Sequence, residues 1–411
     1  MNGISKTKLN SLIKTFILFF VLAYPLGQLV QLPLAFKNSA EIRINIIDPL
    51  IFLITFIWFI WHLFNKKKII FPRGYKSFIF FVGVLFFSWF INFKNYYLRE
   101  SVTGLLYLLR LANYSFVYLV FSDLRHNFDL FTSGIINKIL LFWSLALGFI
   151  GLGQYLFLPD TRFLLSSGWD DHYFRVIGSF FDPNFTGLIL SLAIIWGINN
   201  FYSQQSLIKI QFFKLFLLFL LLFPAFFLTY SRSSYLALIA GLAVYFVLKA
   251  KKRNLFYLLI LFVLVVILLP RPGGEGVRLE RTASMVLRLE NWQVMFSLWK
   301  KHPLFGVGFN NLRYAIRKTG YLRLDQWREV HSAAGADNSY LFILVTAGLM
   351  GLAGFFFYCF STVKNILHFS EDQKRLLFSS YTAVFIHCFF TNSFFYPWVF
   401  LWLMTIQSLE D

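Results

Sequence analysis

The sequence predicts an all-α polytopic membrane protein with about twelve transmembrane helices and one large extracytoplasmic loop of short helices. Of the 411 residues, 58% are hydrophobic and only 14% are charged, whereas a soluble domain is about 25% charged. The apolar residues fall into long continuous stretches, and about 20 such residues suffice to cross a bilayer as a helix. One long basic segment, residues 271–336, interrupts the series between the ninth and tenth stretches.

The candidate spans divide the chain into three parts. Spans 1–9 lie in residues 1–270, the loop covers 271–336, and spans 10–12 lie in 337–411. The apolar stretches are residues 14–35, 46–64, 77–93, 101–121, 139–158, 184–201, 212–229, 234–249, 254–270, 338–361, 376–392 and 394–408.

The distribution of Lys and Arg predicts the orientation, because these residues favour cytoplasmic loops. With the N-terminus inside, the cytoplasmic loops hold nineteen Lys and Arg residues and the short outer loops hold seven. Both termini should therefore be cytoplasmic and the loop 271–336 extracytoplasmic. This topology, with attraction to anionic membrane lipid, accounts for the net charge of +19. Nucleic acid is not expected as a partner.

The loop 271–336 carries eleven Lys and Arg residues against five Asp and Glu. A cationic segment on the outer side suggests an anionic ligand. Residues 284–301 should form an amphipathic helix that lies in the membrane interface or packs against the bundle. Its shared apolar face is predicted to consist of Leu289, Trp292, Phe296 and Trp299. A second short helix is expected over 310–318.

Five arginines at the outer side are candidates for binding an anion. Arg232 lies at the start of the eighth span, where its guanidinium and the helix amides both favour negative charge. The alternative interpretation is an interfacial arginine that extends its charged group to water and binds no ligand. Arg175 precedes the sixth span. Arg278, Arg281 and Arg288 lie in the loop, and several converging guanidinium groups would suit a diphosphate.

His331 and Asp337 close the loop and are candidate bases, since either side chain can accept a proton from a hydroxyl group. A helix cap is the alternative for Asp337 and the preferred role for Asn338 at the tenth span. Asp182 and Pro183 are expected to begin the sixth span in the same way.

Arg110 lies near the middle of the fourth span. A charge at that depth costs about 3 kcal/mol on insertion scales, so it marks a functional or paired site. Asp170, Asp171 and His172 resemble a metal cluster only loosely. No metal and no cofactor is expected.

Four stretches together carry a family resemblance: RVIGSFFDPNFTG (175–187), LTYSRSSYLALIAG (228–241), RLENWQVMFSLWKKHPLFGVGFNNL (288–312) and DNSYLFILVTAGLMGL (337–352). Their order and spacing resemble the O-antigen ligase and O-antigen polymerase superfamily of bacterial membrane glycosyltransferases. The resemblance covers about residues 175–360.

The resemblance implies metal-independent transfer of a glycan from a polyprenyl-diphosphate donor to a hydroxyl of a glycan or lipid A-core acceptor. It also implies a bacterial inner-membrane location with an extracytoplasmic active site. Arg232, Arg288 and either His331 or Asp337 would act together there. The ligases usually have His where this chain has Asp337, and His331 lies six residues earlier. This departure leaves the base open and slightly favours a polymerase.

A transporter or flippase of lipid-linked glycans is the alternative from another class. Such a protein should carry inverted repeats and midplane charges. The sequence has only Arg110 at the midplane, and its other polar features gather at the outer side. The acceptor, which distinguishes a polymerase from a ligase, is not evident in the sequence.

Overall fold

The computed structural model describes residues 6–34, 42–66, 68–128, 132–203, 209–320 and 335–409. These residues form the following helices: α1 (Lys6–Ala23), α2 (Ile47–Asn65), α3 (Tyr75–Ile91), α4 (Leu98–Phe128), α5 (Ser133–Phe157), α6 (Pro183–Ser203), α7 (Lys209–Phe227), α8 (Arg232–Leu248), α9 (Lys252–Leu268), α10 (Ala283–Lys301), α11 (Leu312–Lys318), α12 (Ser339–Ile366), α13 (Glu371–His387) and α14 (Pro397–Gln407).

The helical membrane class is confirmed, but the number of spans is not. Among the described residues, five helices are long and apolar enough to cross a membrane, namely α2, α4, α5, α6 and α12. Shorter apolar segments lie in α1, α3, α7, α8, α9 and α14. The eleven residues of α14 rise only about 16 Å, and their side chains from Trp398 onward are buried. This helix is therefore a core element and does not cross a bilayer alone.

The first predicted span, 14–35, is wrong at its end. Helix α1 stops at Ala23 and continues as a 3-10 turn over Tyr24–Leu26, because Pro25 supplies no backbone amide to the helix. The apolar residues beyond the turn enter an antiparallel hairpin of β1 (Gln31–Leu34) and β2 (Ile42–Asn45). The hydrophobicity of residues 31–34 did not show that they form a strand and not the end of the first helix.

The predicted starts of two spans are confirmed by their capping bonds. The carboxylate of Asp182 accepts hydrogen bonds from the amides of Asn184 at 2.6 Å and Phe185 at 3.1 Å, directly before α6. Asn338 Oδ1 accepts from the amides of Tyr340 and Leu341 at the start of α12. Both side chains satisfy amides that have no partner within the helix.

Helices α10 and α11 occupy the predicted parts of the loop, and only part of the predicted apolar face of α10 is covered by the bundle. The helix packs against α12 through the buried Met295 and Leu298, while Leu289 and Phe296 are 53% and 42% exposed. Periodicity indicates which side chains share a face, but packing decides which face is buried. The structure thus favours packing on the bundle for one side of α10.

The turn after α10 fits into a break in α12. Gly348 has a φ of 68° inside α12, and the amides of Val307 and Gly308 donate to the carbonyls of Val345 and Thr346, both at 2.9 Å. A Cβ atom on Gly306 would lie 2.4 Å from the carbonyl carbon of Thr346. Glycine is required there by the close backbone approach.

Candidate active site

Four arginines converge at the end of the bundle where α6, α8 and α12 begin. We call Arg175, Arg232, Arg281 and Arg288 the arginine cluster. Arg175 precedes α6, Arg232 is the first residue of α8, Arg281 precedes α10 and Arg288 lies on it. Their guanidinium groups lie close together: the charge of Arg232 lowers the pKa of each of the other three, and Arg281 lowers that of Arg175.

Arg175 and Arg281 hold the turn between α7 and α8. Arg175 is 6% exposed, and its Nε donates to the Thr229 carbonyl at 2.9 Å. The Tyr230 carbonyl accepts from both arginines, at 3.4 Å and 3.3 Å. Burial lowers the pKa of the Arg175 guanidinium, and the nearby Arg281 lowers it further. These two side chains fix the backbone that presents Arg232.

The backbone around the cluster is strained. Tyr230 has a φ of 49°, and Phe174 and Phe181 in the preceding loop have φ values of 49° and 58°. Each such residue costs on the order of 1–3 kcal/mol and persists only where its surroundings fix the conformation. Strain of this kind is common where a backbone has been shaped around a functional site.

Arg232 connects α8 to the segment before α10. Its Nη1 donates to the carbonyls of Leu279 at 3.1 Å and Arg281 at 2.9 Å. Ser231 caps the same helix by accepting from the amide of Ser234. The guanidinium of Arg232 therefore lies at a helix N-terminus, where the amides reinforce an attraction for anions.

Asp337 and Arg288 face each other across the site. Burial raises the pKa of the Asp337 carboxyl to about 6, with the positive charge of Arg288 opposing this and Asp170 and Asp182 adding to it. Burial lowers the pKa of Arg288, which Asp337 partly restores. Asp337 thus changes its protonation state near neutral pH, as a general base requires.

Helix α10 also positions the backbone of Asp337. The amide of Asp337 donates to Asn291 Oδ1 at 3.1 Å, and its carbonyl accepts from Trp292 Nε1 at 3.5 Å. Because Arg288 lies one turn earlier on the same helix, α10 presents the cation and anchors the carboxylate together.

A buried histidine beneath the cluster was missed by the sequence reasoning. His387, fully buried in α13, lies with Nε2 at 3.1 Å from Ser233 Oγ and 3.3 Å from Ser234 Oγ. Its Nδ1 lies 2.6 Å from Ser393 Oγ. The sequence offered one signal, an ionisable residue within an apolar stretch, and nothing in it indicated that His387 contacts the start of α8.

Two other predicted residues, Arg278 and Arg110, do not join the cluster. Arg278 is exposed and reaches the cluster only through its carbonyl, which accepts from Arg281 Nη1 at 2.8 Å. Arg110 pairs with the Asp48 carboxylate at 2.8 Å. Of the two roles predicted for this charge, a functional site or an ion pair, the structure shows the ion pair. His331 lies outside the described residues.

The acidic loop before α6 contributes charge to the site. Asp170 is close enough to Asp337 to raise the pKa of its carboxyl. Within the residues that the structure describes, no group of three or more His, Cys, Asp or Glu side chains is arranged to hold a metal ion. Burial lowers the pKa of Arg175 and of Arg288, and the negative charge of Asp182 opposes this by raising both.

The fold and site define a helical membrane protein with a partly buried cationic cluster beside a titratable carboxylate. The model of the O-antigen ligase family matches residues 217–356, a segment that holds Arg232, Arg281, Arg288 and Asp337. This match, which covers about a third of the chain, supports membership of the O-antigen ligase and polymerase superfamily. A comparison with curated proteins finds no significant match.

Proposed function

We propose that this protein is a membrane glycosyltransferase of surface-polysaccharide assembly. It would move a glycan from a polyprenyl-diphosphate donor to an acceptor hydroxyl at the outer face of the bacterial inner membrane. The observation that carries this proposal is the Asp337 carboxyl, with a pKa of about 6, beside Arg288 within the matched segment.

The arginine cluster would bind the diphosphate of the donor. Arg232 and Arg288 would contact its oxygens, while Arg175 and Arg281 hold the turn that presents Arg232. Negative charge on the diphosphate grows as the glycosidic C–O bond breaks. Fixed guanidinium groups would therefore stabilise the transition state more than the bound donor.

Asp337 would activate the acceptor. Its carboxylate takes the proton of the acceptor hydroxyl as that oxygen bonds to the anomeric carbon, and the diphosphate leaves with the bonding electron pair. Burial raises the pKa of this carboxyl to about 6, so it is largely deprotonated at pH 7 and still basic enough to accept a proton. No metal enters this scheme. His331 remains the other candidate base.

A cellular test uses the surface-glycan ladder of a deletion strain. Loss of ladder steps above one repeat would indicate a polymerase, and a normal ladder that is not joined to lipid A-core would indicate a ligase. A flippase would leave the lipid-linked units on the cytoplasmic side. A wild-type glycan profile in the deletion strain would overturn the proposal.

Complementation of that strain then tests the cluster. Arg288→Ala should fail to restore the glycan at normal membrane levels. Arg278→Ala is the matched control, because it removes the same charge from the same segment at an exposed position, and it should complement. Full complementation by Arg288→Ala would move the donor site elsewhere.

Cysteine labelling of intact cells tests the proposed orientation. Gly320 and Leu367 are both exposed; the first follows α11 and the second follows α12. In a background with Cys359 and Cys388 replaced, a Gly320→Cys variant should react with an impermeant thiol reagent and a Leu367→Cys variant should not. The reverse pattern would place the cluster on the cytoplasmic side and contradict an extracytoplasmic reaction.

A further inference from the structure

A groove lies at the end of the bundle opposite the arginine cluster. It is formed by the start of α3 and the end of α12 and has a volume of about 610 Å³. Helix α12 begins beside Asp337 and ends at Ile366, and α3 runs antiparallel to it, since Ser88 near its end donates to the Thr346 carbonyl at 2.7 Å. The groove and the arginine cluster are therefore separated by most of the length of α12.

The groove combines positive charge with an aromatic wall. Arg73, Lys76, Ser77 and Ser361 supply its polar lining. Phe80 and Phe357 form the apolar wall, with ring centroids 5.5 Å apart and side chains 55% and 52% exposed. Cations thus lie at the helix termini, and the exposed rings lie further along the helices.

The charge of the groove is not neutralised locally. Arg73 and Lys76 are both exposed, and no carboxylate is among the side chains that line the groove. Within the described part of the chain, neither of these two side chains makes a hydrogen bond or ion pair. An anion is therefore the complementary occupant.

We propose that this groove binds the headgroup of an anionic phospholipid from the adjacent leaflet. The phosphate would lie between Arg73 and Lys76 with the two serine hydroxyls as further contacts, and the first part of an acyl chain would lie on Phe80 and Phe357. Basic pockets between transmembrane helices bind anionic lipid headgroups, and the volume is in the range of a small-molecule site.

The exposed rings favour a lipid over a water-soluble anion. A free phosphate would use the two cations and leave Phe80 and Phe357 uncovered, whereas a phospholipid covers both parts of the groove. A lipid held there would also bridge α3 and α12. This inference does not depend on the reaction at the arginine cluster.

Native mass spectrometry tests the proposal with purified protein in nanodiscs of equal parts phosphatidylglycerol and phosphatidylethanolamine. The wild-type protein should retain phosphatidylglycerol preferentially when released from the disc. The double variant Arg73→Gln with Lys76→Gln should lose about ten- to thirtyfold in this preference, since it removes both cations that would contact the phosphate directly, each contributing about fivefold. No preference in the wild-type protein would overturn the proposal.

A charge-matched control removes two cations from the same end of the bundle. Lys251 and Arg253 are exposed at the start of α9 and lie outside the groove lining, so the double variant Lys251→Gln with Arg253→Gln should retain phosphatidylglycerol as the wild type does. Equal retention by the groove variant and this control would also overturn the proposal. If the groove double variant does not fold, Lys76→Gln alone should lower the preference about fivefold.

Competition with inorganic phosphate distinguishes a lipid site from a site for a free anion. Millimolar phosphate should not displace phosphatidylglycerol from the wild-type protein, because it cannot cover the aromatic wall. Complete displacement would show a site for a bare anion and contradict a lipid site.

Discussion

The arginine cluster and the Arg110 site show two ways to place guanidinium groups in an apolar bundle. Arg110 donates to the Asp48 carboxylate at 2.8 Å and to the Arg43 carbonyl at 2.6 Å, and Tyr114 donates to the same carboxylate. In the arginine cluster, Arg175, Arg232 and Arg281 instead donate to backbone carbonyls. The first site pairs its guanidinium group directly with a carboxylate, whereas the second brings four guanidinium groups together near one helix N-terminus.

This difference separates a structural arginine from a candidate binding residue. A carboxylate partner satisfies the guanidinium charge of Arg110 and leaves little attraction for a ligand. Backbone carbonyls orient Arg175 and Arg281 and carry no formal charge, so an added anion would gain a charge-assisted interaction with these side chains. Variants at the two sites should therefore fail in different ways.

The largest effect is expected at Asp337. Asp337→Asn should lower the transfer rate by about 100- to 10,000-fold, because it removes the proposed general base. The wild-type rate should fall as the pH drops through about 6, since burial raises the pKa of this carboxyl to about 6 and only its deprotonated form accepts the proton. Initial rates from pH 5 to pH 8 would measure both effects.

The pH profile does not distinguish Asp337 from His331, because an ordinary histidine also has a pKa near 6.5. The single variants do. A His331→Ala variant that loses activity while Asp337→Asn retains it would transfer the role of base to His331.

The next effect is expected at Arg232 and Arg288. Each Ala variant should lower the rate by about 100- to 1000-fold, since each would remove a proposed charge-assisted contact to the diphosphate in the transition state. A Lys substitution at either position should also lower the transfer rate, because Lys lacks the bidentate hydrogen-bonding geometry of Arg. Arg278→Ala should keep a near wild-type rate, and an equal loss in that control would show a non-specific effect of charge.

Arg110 should affect stability instead of catalysis. Arg110→Ala removes the cation that pairs with Asp48, whose side chain is only 16% exposed. The variant should be less stable than the wild type by about 3 kcal/mol, at the lower end of the cost of breaking a buried ion pair. Thermal unfolding in detergent measures the loss, and the rate per folded molecule should stay near wild type. A stable Arg110→Ala variant with a specific loss of transfer would place Arg110 in the reaction.

The smallest effect is expected at His387. His387→Ala removes the partner of Ser233, Ser234 and Ser393 and should lower kcat about tenfold by loosening the start of α8. His387→Asn keeps hydrogen-bonding capacity and should recover part of this loss. An Ala variant with wild-type kcat, or an Asn variant no better than Ala, would exclude a positioning role.

Local patterns predicted the helices and much of the cluster. Arg232 and Arg288 follow from the charge of their loops, and the caps Asp182 and Asn338 follow from residue type and position. Asp48 lies 62 residues from Arg110 and His387 lies 154 residues from Ser233, so neither contact has a local signal. Such contacts depend on how the helices pack, which a single sequence does not specify.

Reconstituted transfer tests the central claim most directly. Purified protein in nanodiscs should transfer glycan from a polyprenyl-diphosphate donor to an acceptor in the presence of EDTA, and Arg288→Ala and Asp337→Asn should each reduce the rate at least 100-fold. Loss of wild-type activity in EDTA would contradict a metal-free reaction. Wild-type rates in both variants would show that the arginine cluster and Asp337 are not the active site.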